Sequence, residues 1–197
     1  MRPMLILILC SDKLPGSASG FGLAITKRFI AEGAKVVAAD MNEDGLAKTF
    51  GDSPPSHVQT VTANVTSESD WKKMVNLAQD KFGGVDILIN NAGTSYKNKP
   101  TLDVTEAEFD KVMAVNVKSI YHSVNTVIPA MKERGGGSII NIASIGAMRP
   151  RPGLVWYNAS KGAVANVCCI NTYSGTSLTR CRQRKVWQQS SGRTIFE

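Results

Sequence analysis

Short apolar runs alternate along this chain with longer stretches in which apolar residues recur every three or four positions. The runs predict strands at Leu5–Leu9, Val36–Ala39, Val58–Ala63, Ile87–Ile89 and Ser138–Ile142. The longer stretches predict helices. One follows Gly22, another runs from a cap at Thr66 or Ser67 to Gly83, and another runs from a capping box at Thr105 through Ile128. Strands alternating with helices indicate an α/β fold, a doubly wound parallel sheet flanked by helices.

The turn after the first strand is rich in glycine and reads GSASGFG from Gly16 to Gly22. Such a turn presents backbone N–H groups at a helix N-terminus, which suits a pyrophosphate. Asp40 lies eighteen residues after Gly22, at the end of the second strand. An acid there accepts both ribose hydroxyls and repels a 2′-phosphate, so the pair favours NAD over NADP. Asp40 alone is equally typical of a turn at a strand end, and the loop lacks the Lys-Ser/Thr ending of nucleoside-triphosphate sites.

Candidate chemistry is concentrated between Ser144 and Lys161. Tyr157 and Lys161 stand four residues apart, so a helix places both side chains on one face. An ammonium beside a phenol favours the phenolate and lets the tyrosine exchange a proton near neutral pH. Ser144 follows the fifth predicted strand, where open α/β sheets hold their ligands. Taken alone, the YNASK segment fits a helix start with an exposed lysine equally well.

Composition limits the alternatives. The 197 residues carry a net charge of +7, and residues 168–197 contribute five basic residues against one acidic residue. We therefore expect one domain over residues 1–167 and an irregular, basic, polar tail over residues 168–197. We expect no nucleic-acid partner, because such binding would rest on that tail alone; if it occurred, it would fall steeply with salt. The four cysteines have no CxxC spacing, so we expect no metal site and a cytoplasmic location. No apolar run approaches the length of a membrane span, so we expect no span.

Taken in order, these motifs resemble the short-chain dehydrogenase/reductase family. The matching segments are GSASGFG, Asp40, the NNAG at 90–93, Asn116, Ser144 and YNASK. The resemblance extends from Gly16 to Val167. It implies a Rossmann-type sheet and hydride transfer between NAD(H) or NADP(H) and a small alcohol or carbonyl substrate.

The resemblance also implies roles for individual residues. Tyr157 is the general acid and base, Lys161 favours its phenolate and holds the nicotinamide ribose, and Ser144 hydrogen-bonds the carbonyl oxygen. Asn116 positions a water in the proton relay. The implied cofactor contacts are Gly16, Ser19, Gly20, Phe21, Gly22, Asp40, Asn64, Val65, Asn91, Ala92, Gly93, Tyr157 and Lys161.

Both ends of the chain depart from the family pattern. Pro15 stands where the family has a threonine, which removes an N–H donor and a hydroxyl. Cys168–Glu197 matches none of the family's continuation, so we expect an altered or truncated member that lacks the last strands. The alternative to an active enzyme is an impaired variant that at most binds the cofactor or partner subunits. A homo-oligomer through the helices of Asn116 and Tyr157 is a further expectation.

Overall fold

A five-stranded parallel sheet forms the centre of the molecule. The computed structural model describes residues 4–9, 20–167, 186–188 and 194–196. The strands are β1 (Leu5–Leu9), β2 (Lys35–Asp40), β3 (Val58–Thr62), β4 (Ile87–Asn90) and β5 (Ser138–Asn141). Their order is β3-β2-β1-β4-β5, and every neighbouring pair is parallel. The predicted fold class is confirmed, and β3 and β5 each end one residue earlier than expected.

Helices cover both faces of this sheet. They are α1 (Gly20–Ala31), α2 (Glu43–Phe50), α3 (Glu68–Phe82), α4 (Glu106–Met113), α5 (Ser119–Glu133) and α6 (Val155–Val167). The helix predicted from Thr105 through Ile128 is interrupted by a π-helical turn, Ala114–Lys118, which divides it into α4 and α5. Helix α2 was not predicted. It has eight residues, of which Leu46 and Phe50 are buried, so its periodicity is too short to recognise.

The predicted helix ends are confirmed where capping chemistry marked them. The Ser67 side chain accepts a hydrogen bond from the Asp70 N–H and caps α3. The same helix ends at Gly83, whose φ of 85° lies in the left-handed region that glycine adopts without strain. Thr105 and Glu108 form the capping box of α4, each side chain bonding the other's backbone N–H.

The core follows the two-residue alternation of the strands. Val37, Leu88 and Ile139 face α3 and α5, where they meet the fully buried Trp71 and Met74. Alternate strand residues face the opposite side and pack on α1 and α2; they include Ile6, Val36, Ala38 and Ile89. Burial on both faces explains why these strands are nearly continuous apolar runs.

An ion pair joins several elements at the amino end of the sheet. Arg134, just after α5, donates from Nε and Nη2 to the two carboxylate oxygens of Asp86, each at 2.8 Å. Its Nη1 donates to the Gly83 carbonyl at the end of α3. Asp86 Oδ2 also accepts from the Leu5 N–H of β1, at 3.1 Å. One guanidinium therefore connects α3 and α5 to the starts of β1 and β4.

Strand β5 is the last strand in the order and pairs with β4. Farther along the chain, Val186–Gln188 (β6) and Thr194–Phe196 (β7) form a separate antiparallel pair. At these two short strands the chain is regular, contrary to the expectation of an irregular tail; the rest of residues 168–197 lies outside the described residues. Across the described ranges, no helix is both long enough and apolar enough to cross a membrane.

Candidate active site

Polar residues meet at the carboxyl ends of the strands. Asp40 ends β2, Asn90 ends β4, and Ser144 lies three residues beyond β5. Asn90 is in register with Asn141 of β5, and its Nδ2 donates to Asn141 Oδ1 at 2.8 Å. This edge is where open α/β sheets bind ligands, so the strand-end residues selected from the sequence lie where a site is expected.

Tyr157 and Lys161 lie one turn apart in the first half of α6. Tyr157 is half-buried, whereas Lys161 is only 5 % exposed. Lys161 Nζ donates to the Ile142 carbonyl, just beyond β5, at 2.9 Å. Burial lowers the pKa of the Lys161 ammonium from 10.5 to about 8, because desolvation disfavours the charged form. The lysine is thus fixed beside the strand ends and titrates close to physiological pH.

Asn116 connects the segment after β4 to α6. It lies in the π-helical turn and is 1 % exposed. Its Oδ1 accepts from the Thr94 N–H at 2.8 Å, and its Nδ2 donates to the Thr94 carbonyl and to Ser160 Oγ at 3.0 and 2.9 Å. Ser160 Oγ in turn donates to the Tyr157 carbonyl at 2.7 Å. The amide therefore fixes the backbone of the helix that carries Tyr157.

Ser144 begins a short 3₁₀ turn, Ile145–Ala147, that leads from β5 toward α6. Its Oγ accepts from the Gly146 N–H at 3.1 Å and is largely buried. Because Oγ serves as an acceptor in that bond, its own hydrogen stays available as a donor. A hydroxyl donor held in this way suits a carbonyl oxygen at the same edge of the sheet.

Gly93 lies close against the lysine. A Cβ placed on Gly93 would lie 3.1 Å from Lys161 Nζ and 3.5 Å from Asn116 Oδ1. The contact with Lys161 would be tighter than side chains ordinarily make, so the glycine of the NNAG segment lets the backbone lie close against the lysine.

A cavity of about 270 Å³ lies between the ends of β2, β3 and β4. Asn64, Val65 and Ala92, all selected from the sequence, line it. Asn64 Oδ1 accepts from both the N–H and the hydroxyl of Thr66, at 2.9 and 2.8 Å. Beneath it, Trp71 Nε1 donates to the Val65 carbonyl at 2.9 Å. The cavity is largely apolar and has a fixed floor, which suits a planar base such as adenine.

Of the remaining predicted cofactor contacts, the described ones lie at the ends of β2 and β4 and in the first turn of α1. Asp40 is 2 % exposed, and its Oδ1 accepts from the Asn42 N–H at 3.0 Å. Gly20 begins α1 with a φ of 82°, and Gly22 is buried in its first turn beside the half-buried Phe21. Asn91 follows β4. Gly16 and Ser19 lie outside the described residues.

Sequence reasoning missed several residues of this site. Met41, Lys111 and Val115 line the same cavity, and Thr94 and Ser160 complete the hydrogen bonds of Asn116. Ser160 lies inside the YNASK motif, so its position next to Lys161 was a usable signal. The other residues lie in no recognisable sequence motif, because only tertiary packing brings them to the site.

Comparison with known proteins agrees with this geometry. The family model described as short chain dehydrogenase matches residues 14–169. The chain belongs to the short-chain dehydrogenase family. Its fold is also similar to a crystal structure of 3-ketoacyl-(acyl-carrier-protein) reductase from Brucella melitensis complexed with NADH, with a TM-score of 0.76 and 40% identity; the match covers 84% of this chain and 67% of that one.

Two curated relatives have a similar sequence identity to this chain. The chain is 42% identical over 154 residues to a 4-formylbenzenesulfonate dehydrogenase of Comamonas testosteroni, a match that covers 77% of this chain and 61% of the relative. It is 41% identical over 173 residues to a 2-(R)-hydroxypropyl-CoM dehydrogenase of Xanthobacter autotrophicus, covering 84% and 69%. The chain thus spans about six- to seven-tenths of the length of these relatives.

Proposed function

We propose that this chain is an NAD(H)-dependent oxidoreductase that interconverts an alcohol and a carbonyl compound, with Tyr157 as the general acid and base. The observation that carries the proposal is the placement of Tyr157 and the buried Lys161 on one helix beside the strand ends. The backbone of Gly93 lies close against this lysine. The adenine-sized cavity at the same edge supports a dinucleotide as the second reactant.

The residues present fit a nicotinamide dinucleotide. The cavity lined by Asn64, Val65 and Ala92 would hold the adenine, and Asp40 at the end of β2 would accept the ribose hydroxyls. The start of α1 at Gly20 would face the pyrophosphate, because a helix N-terminus attracts anions. When bound, the nicotinamide supplies the hydride.

The protein's own contribution is one proton and an oriented carbonyl. In the reducing direction Tyr157 donates its phenolic proton to the substrate oxygen, and in the oxidising direction the phenolate takes it back. Ser144 Oγ donates a hydrogen bond to the same oxygen and holds it near Tyr157. Lys161, as an ammonium, stabilises the phenolate that forms, and it would bind the nicotinamide ribose.

Asn116 contributes to the reaction through its backbone, or by fixing the position of the helix that carries Tyr157. Its side-chain oxygen and both of its amide hydrogens already bond Thr94 and Ser160. We assign the water of the proton relay to the backbone of this π-helical turn, where the spacing of the hydrogen bonds within the helix changes.

The preference for NAD rests on the charge of Asp40. Asp40→Asn keeps an acceptor for the Asn42 N–H but removes the charge that would repel a 2′-phosphate. We expect the affinity for NADPH relative to NADH to rise roughly tenfold, equivalent to about 1.4 kcal/mol. Fluorescence titration with both cofactors measures this ratio. Asp44→Asn, an exposed acid in the first turn of α2, is the matched control. An unchanged ratio in Asp40→Asn would assign the preference to another group.

The reaction is tested by following NADH absorbance with three carbonyl probes: 4-formylbenzenesulfonate, an acetoacetyl thioester and acetophenone. We expect NADH consumption with at least one probe, and a raised unfolding midpoint with NADH alone. Ligand at a hundredfold excess over Kd stabilises a folded protein by about 2.7 kcal/mol. A raised midpoint without turnover would favour the impaired variant, whose basis is the position of β5 as the last strand of the sheet within the described residues. The absence of both would refute the proposal.

Partner and location remain part of the proposal. A small-molecule substrate follows from the proposed chemistry, and a homo-oligomer through the helices of Asn116 and Tyr157 stays a prediction. The cytoplasmic location inferred from the cysteine pattern stays a prediction as well. Sedimentation of the purified chain tests the assembly directly.

A further inference from the structure

Helix α6 begins without a local cap. Leu154 precedes its first residue, Val155, and the Leu154 carbonyl accepts from the Asn158 N–H at 2.8 Å, as an N-cap carbonyl does. Leucine is among the poorest N-cap residues, because it has no side-chain acceptor for the free N–H groups of the first turn. The first turn also contains no acidic residue. The helix that carries Tyr157 therefore has no side-chain acceptor of its own at the N-cap position.

Tyr96 supplies that acceptor. Its phenolic oxygen accepts a hydrogen bond from the Trp156 N–H at 3.1 Å, across sixty residues of sequence. Trp156 is the second residue of α6, the position whose N–H an N-cap serine or aspartate would bind. We propose that the Tyr96 hydroxyl is a tertiary N-cap of α6 and acts as a positioning residue for Tyr157, the next residue along the chain. The catalytic part of this inference rests on the proposed function.

Two further hydrogen bonds hold the segment just before α6. Asn98 Nδ2 donates to the Pro152 carbonyl at 2.7 Å, and the Lys99 N–H donates to the Gly153 carbonyl at 3.2 Å. Gly153 has a φ of 74°, and a Cβ on it would overlap the Asn98 amide. Only glycine fits this close approach without strain. The same short segment that caps α6 thus also fixes the chain that leads into it.

The segment that carries Tyr96, Thr94–Lys99, is itself anchored at both ends. Thr94 is bonded through its backbone N–H and carbonyl to Asn116. Lys99 Nζ lies 2.7 and 2.6 Å from the two carboxylate oxygens of Glu108, which belongs to the capping box of α4. With both ends fixed, Tyr96 can hold the first turn of α6 in place.

Aromatic packing reinforces the same contact. The rings of Phe109, on α4, and Trp156 meet edge to face with centroids 5.1 Å apart. Tyr96→Phe leaves this packing and the Tyr96 ring in place and removes one hydroxyl. The variant thus tests the hydrogen bond of the cap while leaving the packing of the region in place.

The test compares Tyr96→Phe with Tyr121→Phe, which removes a hydroxyl from a tyrosine on α5 that is 64% exposed. Hydrogen exchange measured by mass spectrometry should become faster in Tyr96→Phe over residues 153–157 and stay unchanged in Tyr121→Phe. Steady-state kinetics with NADH and the fastest of the three carbonyl probes should show kcat lowered about tenfold with KM for NADH unchanged, since small misplacements of a reacting group are costly.

Each result decides a separate claim. Exchange at residues 153–157 that is no faster in Tyr96→Phe overturns the cap. Faster exchange with an unchanged kcat overturns the positioning role, and a fall in kcat shared with Tyr121→Phe does the same. A wild-type chain that shows neither turnover nor a raised unfolding midpoint with NADH refutes the proposed function and leaves the cap to be decided by exchange alone.

Discussion

Tyr157→Phe is expected to lower turnover by about 10²–10⁴-fold, the range that a general acid or base contributes. The substitution keeps the ring that packs in the first turn of α6 and removes the one proton that the proposed mechanism moves. Because Lys161 and the cavity proposed to bind adenine are untouched, the affinity for NADH should stay within a few-fold of wild type.

Paired measurements check this expectation. Steady-state rates with the fastest carbonyl probe give the loss in kcat, and fluorescence titration gives the dissociation constant of NADH. Tyr121→Phe, on the exposed face of α5, should leave both values unchanged. Turnover of Tyr157→Phe within tenfold of wild type would mean that the proton comes from another group.

Between pH 8 and 10.5 the free energy of unfolding of the wild type is expected to rise by about 3 kcal/mol relative to that of Lys161→Met. In the cofactor-free fold the pKa of Lys161 is lowered to about 8, whereas the unfolded chain restores it to 10.5. Below pH 8 both states carry the charge, so the folded state bears the full cost of burying it. Between pH 8 and 10.5 the unfolded state binds the extra proton, and the wild type therefore gains stability as pH rises.

The measurement is urea unfolding of both proteins across pH 7 to 10.5, with the difference in free energy of unfolding plotted against pH. The wild-type value should rise relative to Lys161→Met through that window. Lys27→Met, which alters an exposed lysine of α1, should follow the wild type throughout. A flat difference would show that Lys161 is solvated or paired in solution.

Much of the fold was predictable because this sheet is buried on both faces. A buried parallel strand is a continuous apolar run, as in Ile87–Asn90, and the polar residue at its end marks the ligand-binding edge. Capping boxes and left-handed glycines act through residues three or four positions apart, so Thr105 and Gly83 were recognisable without any tertiary information.

The rest of the site depends on contacts that leave no local pattern. The π-helical turn at Ala114–Lys118 has the same apolar periodicity as the helices on either side, so one long helix was predicted there. The hydrogen bond from Trp156 to Tyr96 spans sixty residues, and neither residue type is typical of a helix cap. Lys111 and Met41 line the cavity at the strand ends only because α4 and the end of β2 converge on it.

The Arg134–Asp86 ion pair affects how this protein can evolve. It lies at the amino ends of β1 and β4, a full strand length away from the carboxyl edge where Tyr157 and Lys161 stand. Substitutions at sites that share no contacts combine almost additively in their effects on stability. A lineage or an engineer can therefore strengthen or weaken the amino end to adjust the lifetime of the folded chain, while the reactive end diversifies under separate selection.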